Sequence, residues 1–283
     1  MAVRTIRPTA RGATQGLHHG LLAIALLLAA ASLARAAESP SIVKARTLFN
    51  SANYEGAIDA ASVARREPMW ADAGALIVAR AHLERFRQTG DVQELADARE
   101  ALRAIKSAAL SPRDRVDLVI GLGQALYLGE TFGAAADLFD AALEKGDLLS
   151  ERDRVLLLDW WATALDREAQ LRTVDRRGAV YERIGARMER ELRDDPSSAV
   201  AGYWRVVAAR GTGDLDLAWS AAISAWVRST LNPATSSQLR GDLDRVVAQA
   251  LIPERARTHP AKDILDPVAL LATEWELVKE RWR

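Results

Sequence analysis

Ser111 to Leu126 reads SPRDRVDLVIGLGQAL, and Ser150 to Leu165 reads SERDRVLLLDWWATAL. Eight of the sixteen aligned residues are identical. Ser, Arg, Asp and Arg match at the polar start, and Val, Leu, Ala and Leu match at apolar positions further in. A chain that repeats both a start signal and an apolar register is reusing one structural unit, and such a unit buries its apolar face against its neighbours. Each copy begins as a helix should. The Ser hydroxyl accepts from an early backbone N–H, Pro112 fits the first turn, and Asp114 or Asp153 favours the positive helix end.

The rest of the chain carries the same helical character. From Ser39 onward alternating Val/Ile/Thr runs are missing and Ala, Leu, Arg and Glu dominate. Apolar or small residues recur at three and four, as in Val116, Ile120, Gly123 and Tyr127. Short polar breaks near 65–68, 88–91, 107–113, 145–152, 193–198, 211–214 and 231–236 divide the chain into segments of helix length. The expected fold class is therefore all-α.

The second segment of the unit has a sharper pattern. Leu122-Gly123, Phe132, Ala135, Phe139 and Ala142 stand at fixed offsets. Ala45, Leu48, Tyr54, Ala57 and Ala64 match them in an earlier unit, with Tyr54 and Phe132 78 residues apart. Ala98 falls between, and Ala218, Ala222 and Ala225 keep the spacing later. This resembles the tetratricopeptide repeat, a 34-residue pair of antiparallel helices in which small residues let neighbouring helices approach. The resemblance covers helical pairs near 38–71, 72–106, 116–149 and 199–232. It implies an α-solenoid over residues 37–232, with 233–283 as an atypical C-terminal helical cap that covers the last repeat's apolar side. The unit from Val155 departs from the pattern, since Val174 and Gly178 stand where small and aromatic residues belong. The run Leu171, Val174, Val180, Ile184, Met188 and Leu192 reads there as a long helix bending near Gly178. In the tail, Ser236 to Leu251 reads as a helix interrupted by Pro253 and Pro260, and Asp266-Pro267 starts a final one.

Residues 1–36 read as a separate object. Arg4, Arg7 and Arg11 precede the uncharged run LLAIALLLAAASL, and Ala34-Arg35-Ala36 supplies a small-x-small site. This order is that of a secretory signal peptide, and the run is shorter than the roughly 20 residues of a membrane span, which favours cleavage over retention as an anchor. Export to a bacterial periplasm, or secretion, is the expectation. Removing residues 1–36 takes away four Arg and no acid, leaving 34 basic against 38 acidic side chains. That balance gives no general electrostatic reason to bind nucleic acid or acidic lipid. No second apolar run approaches membrane length.

Few residues suggest chemistry. Cysteine is absent, which excludes disulfides, thiol catalysis and Cys-bound zinc. The four histidines are His18, His19, His82 and His259, too scattered for a metal cluster. No nucleophile elbow, P-loop or zinc-protease motif occurs. Asp194-Asp195 before Pro196 reads as a solvated turn, and Gly121-Leu122-Gly123 as a place of close helix packing. No enzyme activity and no cofactor are expected. Trp160, Trp161, Trp204, Trp219 and Trp226 read mainly as inter-helix filling, with an aromatic binding surface as the alternative.

The resemblance supplies the candidate function. In this family the first helix of each pair lines a concave groove that receives peptides. Carrying the register over gives Arg46, Asn50, Arg80, Glu84, Gln124, Tyr127, Asp159, Thr163, Arg167, Tyr203 and Arg210 as groove residues, with Trp160 and Tyr203 marking a candidate pocket. The expected function is a non-enzymatic protein- or peptide-binding scaffold of the cell envelope. A small-ligand carrier built from the same helical pairs is the alternative. Arg46 and Arg80 following one another along one wall, with uncharged Gln124 and Thr163 beyond, suggest a partner with an acidic segment at that end.

Overall fold

The computed structural model describes residues 38–258 and 266–283. The signal-peptide reading and His259 lie outside the described residues. Among these residues the regular structure is entirely helical. Helix α1 spans Pro40–Asn50, α2 Tyr54–Ala64, α3 Ala71–Thr89, α4 Val92–Ala104, α5 Pro112–Leu128 and α6 Phe132–Leu143. Then follow α7 (Glu151–Leu171), α8 (Val174–Asp194), α9 (Ala199–Gly211), α10 (Leu215–Arg228), α11 (Pro233–Val246), α12 (Ile252–Thr258) and α13 (Pro267–Arg281).

The repeated stretches are the starts of α5 and α7. Ser111 Oγ accepts from the Asp114 N–H at 3.1 Å, and Ser150 Oγ accepts from the Asp153 N–H at 3.1 Å. The shared Ser-x-x-Asp is thus the same N-cap used twice. Asn53, Asp91, Ser198, Asp214 and Asp266 cap other helices in the same manner.

Consecutive helices pack in pairs, α1 on α2 through to α9 on α10. The small residues of the repeat pattern lie where the pairs close. Ala45, Ala57, Ala98, Ala135, Ala162, Ala218 and Ala222 have no solvent exposure. Three apolar clusters follow one another along the chain, the first drawn from α1 to α5, the second from α5 to α9 and the third from α9 to α13. Adjacent clusters share helices α5 and α9, so burial passes from one pair to the next without a gap.

Odd-numbered helices also touch each other. Contacts join α1 to α3, α3 to α5, α7 to α9 and α9 to α11. Side chains complete the row between α5 and α7. Arg113 Nη2 meets Asp153 Oδ2 at 2.8 Å, and the rings of Tyr127 and Trp160 meet edge-on at 4.9 Å.

Gly123 shows why small residues recur. A Cβ built there would stand 2.6 Å from Cε1 of Phe139, a ring with no exposure. Gly123→Ala gains helix propensity, about 1 kcal/mol, but forces a buried ring aside, at about 1–3 kcal/mol. The clash is expected to win, lowering the midpoint of thermal unfolding. A variant as stable as the parent would show that the ring yields freely.

Two stretches differ from the sequence expectation. Leu171 ends α7 rather than opening a longer helix, and both Leu171 (71% exposed) and Val174 (81% exposed) face solvent. Only Val180, Ile184 and Met188 of that apolar run are buried, and α8 runs on through Gly178 as one helix. The exposed pair flanks the turn, where no neighbouring helix covers it. In the tail, Pro253 does not interrupt the helical path. A five-residue π turn, Val247–Leu251, lies immediately upstream and leads into α12. Proline has no N–H to donate and crowds the preceding turn. A wider turn accommodates both defects.

The tryptophans fill the interfaces. Trp161, Trp204, Trp219, Trp226 and Trp275 are all buried, and Trp160 is half-buried.

Candidate functional site

Two cavities lie on the row of odd-numbered helices, one on each side of α7. The first, about 480 Å³, is lined by Arg46, Phe49 and Asn50 of α1, Ile77 and Arg80 of α3, the start of α5, and Asp153 of α7. It brings together three of the sequence candidates: Arg46, Asn50 and Arg80.

Every Arg of this cavity is paired within it. Arg46 binds Glu38 and, at 2.8 Å, Asp114. Arg80 meets Asp117 at 3.2 Å and lies over the Phe49 ring at 4.8 Å. Arg113 joins Asp117 at 3.2 Å and Asp153 at 2.8 Å. Burial pushes the Asp153 carboxyl up, but hydrogen bonds from Arg113 and Ser150 and the nearby Arg113 and Arg80 charges outweigh it and hold it below its ordinary value. Arg46 and Arg80 therefore do not form a free cationic wall. Their charges are committed to carboxylates, and apart from Glu38 these stand on α5, more than thirty residues away, where sequence spacing does not reveal them. The expected preference for an acidic partner loses its physical basis here.

The middle of the row is aromatic. Tyr127 packs edge-on against Phe132 at 5.3 Å as well as against Trp160, and Trp160 also meets Phe139 at 5.9 Å. The Arg87 guanidinium, reaching from the end of α3, lies 5.2 Å from the Trp160 ring centre. Gln124, Tyr127, Trp160 and Thr163 are all half-buried, and none of them lines either of these two cavities. Trp160 and Tyr203 do not share a pocket in the way the sequence suggested. Of the remaining groove candidates, Glu84 pairs with Arg87 at 2.7 Å, Arg167 is exposed, and Arg210 forks onto both oxygens of Glu254 at 2.8 and 2.6 Å. Arg210 thereby ties α9 to α12.

The second cavity, about 500 Å³, sits between α7, α9 and α11. Its apolar surface comes from Val155 and Leu156 of α7, Val200 and Tyr203 of α9, and Leu239 of α11. Val155 is 38% exposed and Leu156 51% exposed, large side chains that face an open cleft. Glu151, Asp159, Asp195 and Asp242 also line it, and no Lys or Arg does. Asp159 accepts from the Trp204 indole N–H at 2.8 Å, and Asp195 accepts from the Ser197 N–H at 2.9 Å and from its hydroxyl at 2.7 Å. Asp242 meets Arg245 at 3.1 Å from outside the cavity. Burial pushes the Tyr203 hydroxyl up, and the charges of Asp242, Asp166 and Asp159 push it further the same way.

Sequence reasoning placed Asp159 and Tyr203 in the groove but read Asp195 as a solvated turn and passed over Glu151 and Asp242. These residues span ninety-two positions, and only the packing of α9 and α11 across α7 brings them together.

His82 is a packed residue, with Nδ1 2.6 Å from Glu94 Oε2 and Arg85 on the other oxygen at 2.8 Å. Among the described residues no group of three or more His, Asp or Glu is arranged to hold a metal ion, and no helix is long and apolar enough to cross a membrane. No family model, no curated protein and no solved structure matches the chain.

Proposed function

We propose that the chain is a tetratricopeptide-like α-solenoid whose odd-numbered helices form a concave wall, and that this wall holds a protein or peptide partner without catalysing a reaction. The observation that carries this reading is that the odd-numbered row holds two cavities, with α7 shared between them, among several on the described surface. A row of touching first helices presents one extended surface, and such surfaces suit an extended chain better than a compact metabolite. The three Arg, the apolar run and the small-x-small site of residues 1–36 support action in the cell envelope.

A small-ligand carrier is the second reading, favoured by one observation: a cleft of about 500 Å³ lies within the range of small-molecule sites. Native mass spectrometry of protein purified from its source separates the two. A stoichiometric polypeptide supports the scaffold. A retained metabolite with no polypeptide supports the carrier and overturns the scaffold.

A further inference from the structure

The two cavities differ in one respect that bears on what can occupy them. In the first, every Arg faces a carboxylate of the same cavity. In the second, the carboxylates have no cation among the lining residues, and of the four only Asp242 has an ion-pair partner among the described residues. Glu151 and Asp159 stand at the two ends of a nine-residue stretch of α7, just over two helical turns. Val155 and Leu156 lie between them, leaving large apolar side chains exposed inside the same cleft. Other large apolar side chains of this chain are exposed too, but here Val155 and Leu156 stand in one cleft with Val200, Tyr203 and Leu239, where a partner's apolar side chains can cover them together. Unbalanced carboxylates around it raise the local concentration of cations and repel acidic chains.

We infer that the cleft between α7, α9 and α11 is the specificity-determining end of the groove, and that it takes a polypeptide segment in which Lys or Arg alternates with large apolar residues. The inference rests on the reading of the wall as a peptide-binding surface. The apolar side chains of the segment cover Val155, Leu156 and Leu239. Its cationic groups reach Glu151 and Asp159 along one edge, and Asp195 and Asp242 along the other. In an extended segment, alternate side chains point to opposite sides, so one residue type meets the floor while the next meets the rim. The partner is thus basic and apolar, opposite in sign to the partner that the sequence of Arg46 and Arg80 suggested.

The test uses fluorescence anisotropy of the protein with three short labelled peptides: alternating Lys and Leu, alternating Glu and Leu, and alternating Lys and Ser. The Lys–Leu peptide is expected to bind, with the other two at least about tenfold weaker, because each lacks one of the two contact types. The paired change Glu151→Gln with Asp159→Asn keeps the shape and leaves an oxygen for the Trp204 N–H. It is expected to weaken Lys–Leu binding about tenfold and to flatten its salt dependence. Leu156→Ser should weaken binding while leaving the salt dependence intact. Equal binding of the Glu–Leu peptide, or indifference to the paired change, overturns the inference. Tight binding of Lys–Ser, with displacement by a free polyamine at matching concentration, also overturns it and assigns the cleft to small cations. If the native partner still occupies the groove of the doubly changed protein unaltered, the inference fails and the scaffold reading stands. If no polypeptide binds the wall at all, the scaffold reading itself fails.

Discussion

Trp275→Ala is expected to cost about 3–5 kcal/mol, the range for removing a buried large aromatic side chain. Trp275 is 1% exposed and is one of two buried residues, with Leu271, by which α13 holds to the rest of the chain. Its ring meets those of Trp219 at 6.0 Å and Trp226 at 5.4 Å, and its indole N–H donates to Asp244 at 2.8 Å. Removing the ring therefore uncovers α10 as well as loosening α13. The loss should be local. Hydrogen exchange is expected to accelerate in α10 to α13 while α1 to α6 keep their protection, because the apolar clusters at the two ends share no helices. Trp275→Phe should retain most of the stability and lose only the hydrogen bond. A uniform acceleration over the whole chain, or a change below about 1 kcal/mol, would refute this role for α13.

The same corner has a signed dependence on pH. Burial pushes the Asp244 carboxyl up, but hydrogen bonds from Lys279 and Trp275 and the Lys279 charge outweigh it, so its folded value lies below the ordinary 3.8. A depressed carboxylate contributes stability that is present above the unfolded value and lost as pH falls through the folded one. Asp244→Asn should abolish that part of the acid sensitivity of the C-terminal helices.

The second large effect is expected at Arg187, an enclosed charge beside the second apolar cluster, with a side chain 8% exposed. Its Nε donates to Glu191 at 3.1 Å and its Nη1 to Asp140 at 2.8 Å, while the guanidinium lies 5.7 Å from the Trp161 ring centre. Glu191 is itself held by Arg154, and Asp140 by Arg183 at 2.8 Å. The network thus bridges α6, α7 and α8. Truncating one member of a buried ion pair leaves desolvated charge behind and costs about 3–5 kcal/mol. Arg187→Ala should fall at the lower end, since Glu191 and Asp140 each keep one cation. Arg187→Lys should recover little, because an ammonium cannot fork between two carboxylates as the planar guanidinium does. Equilibrium urea unfolding followed by tryptophan fluorescence reads both. If Arg187→Ala proves neutral, the network holds no net stability.

These two sites also mark where the sequence was readable and where it was not. Helix starts were legible because a cap is local: Ser111, Ser150 and Asp266 sit within three residues of the N–H groups they accept from. The buried Ala positions were legible because the helical period places them on one face. Leu171 and Val174 fit the same period and are nevertheless exposed, since period identifies a face but not whether a neighbour covers it. The charges were least legible. Arg46 and Arg80 looked like one wall, and their neutralisation by Asp114 and Asp117 depends on how α5 lies across α1 and α3. The acidic cleft depends likewise on the docking of α11 against α9, which no local pattern encodes.

The central claim is that the odd-numbered helices form the face that holds a partner polypeptide. Site-specific photo-crosslinking tests it most directly. A photoreactive residue is placed at Asn50 or Leu156, which line the two cavities, and at Glu100 or Glu182, exposed on the even-numbered helices α4 and α8. After irradiation in extract of the source cells' envelope, one discrete polypeptide adduct is expected from Asn50 and from Leu156, and none from Glu100 or Glu182. Adducts confined to Glu100 and Glu182 would contradict the account, because they would place the partner on the opposite face.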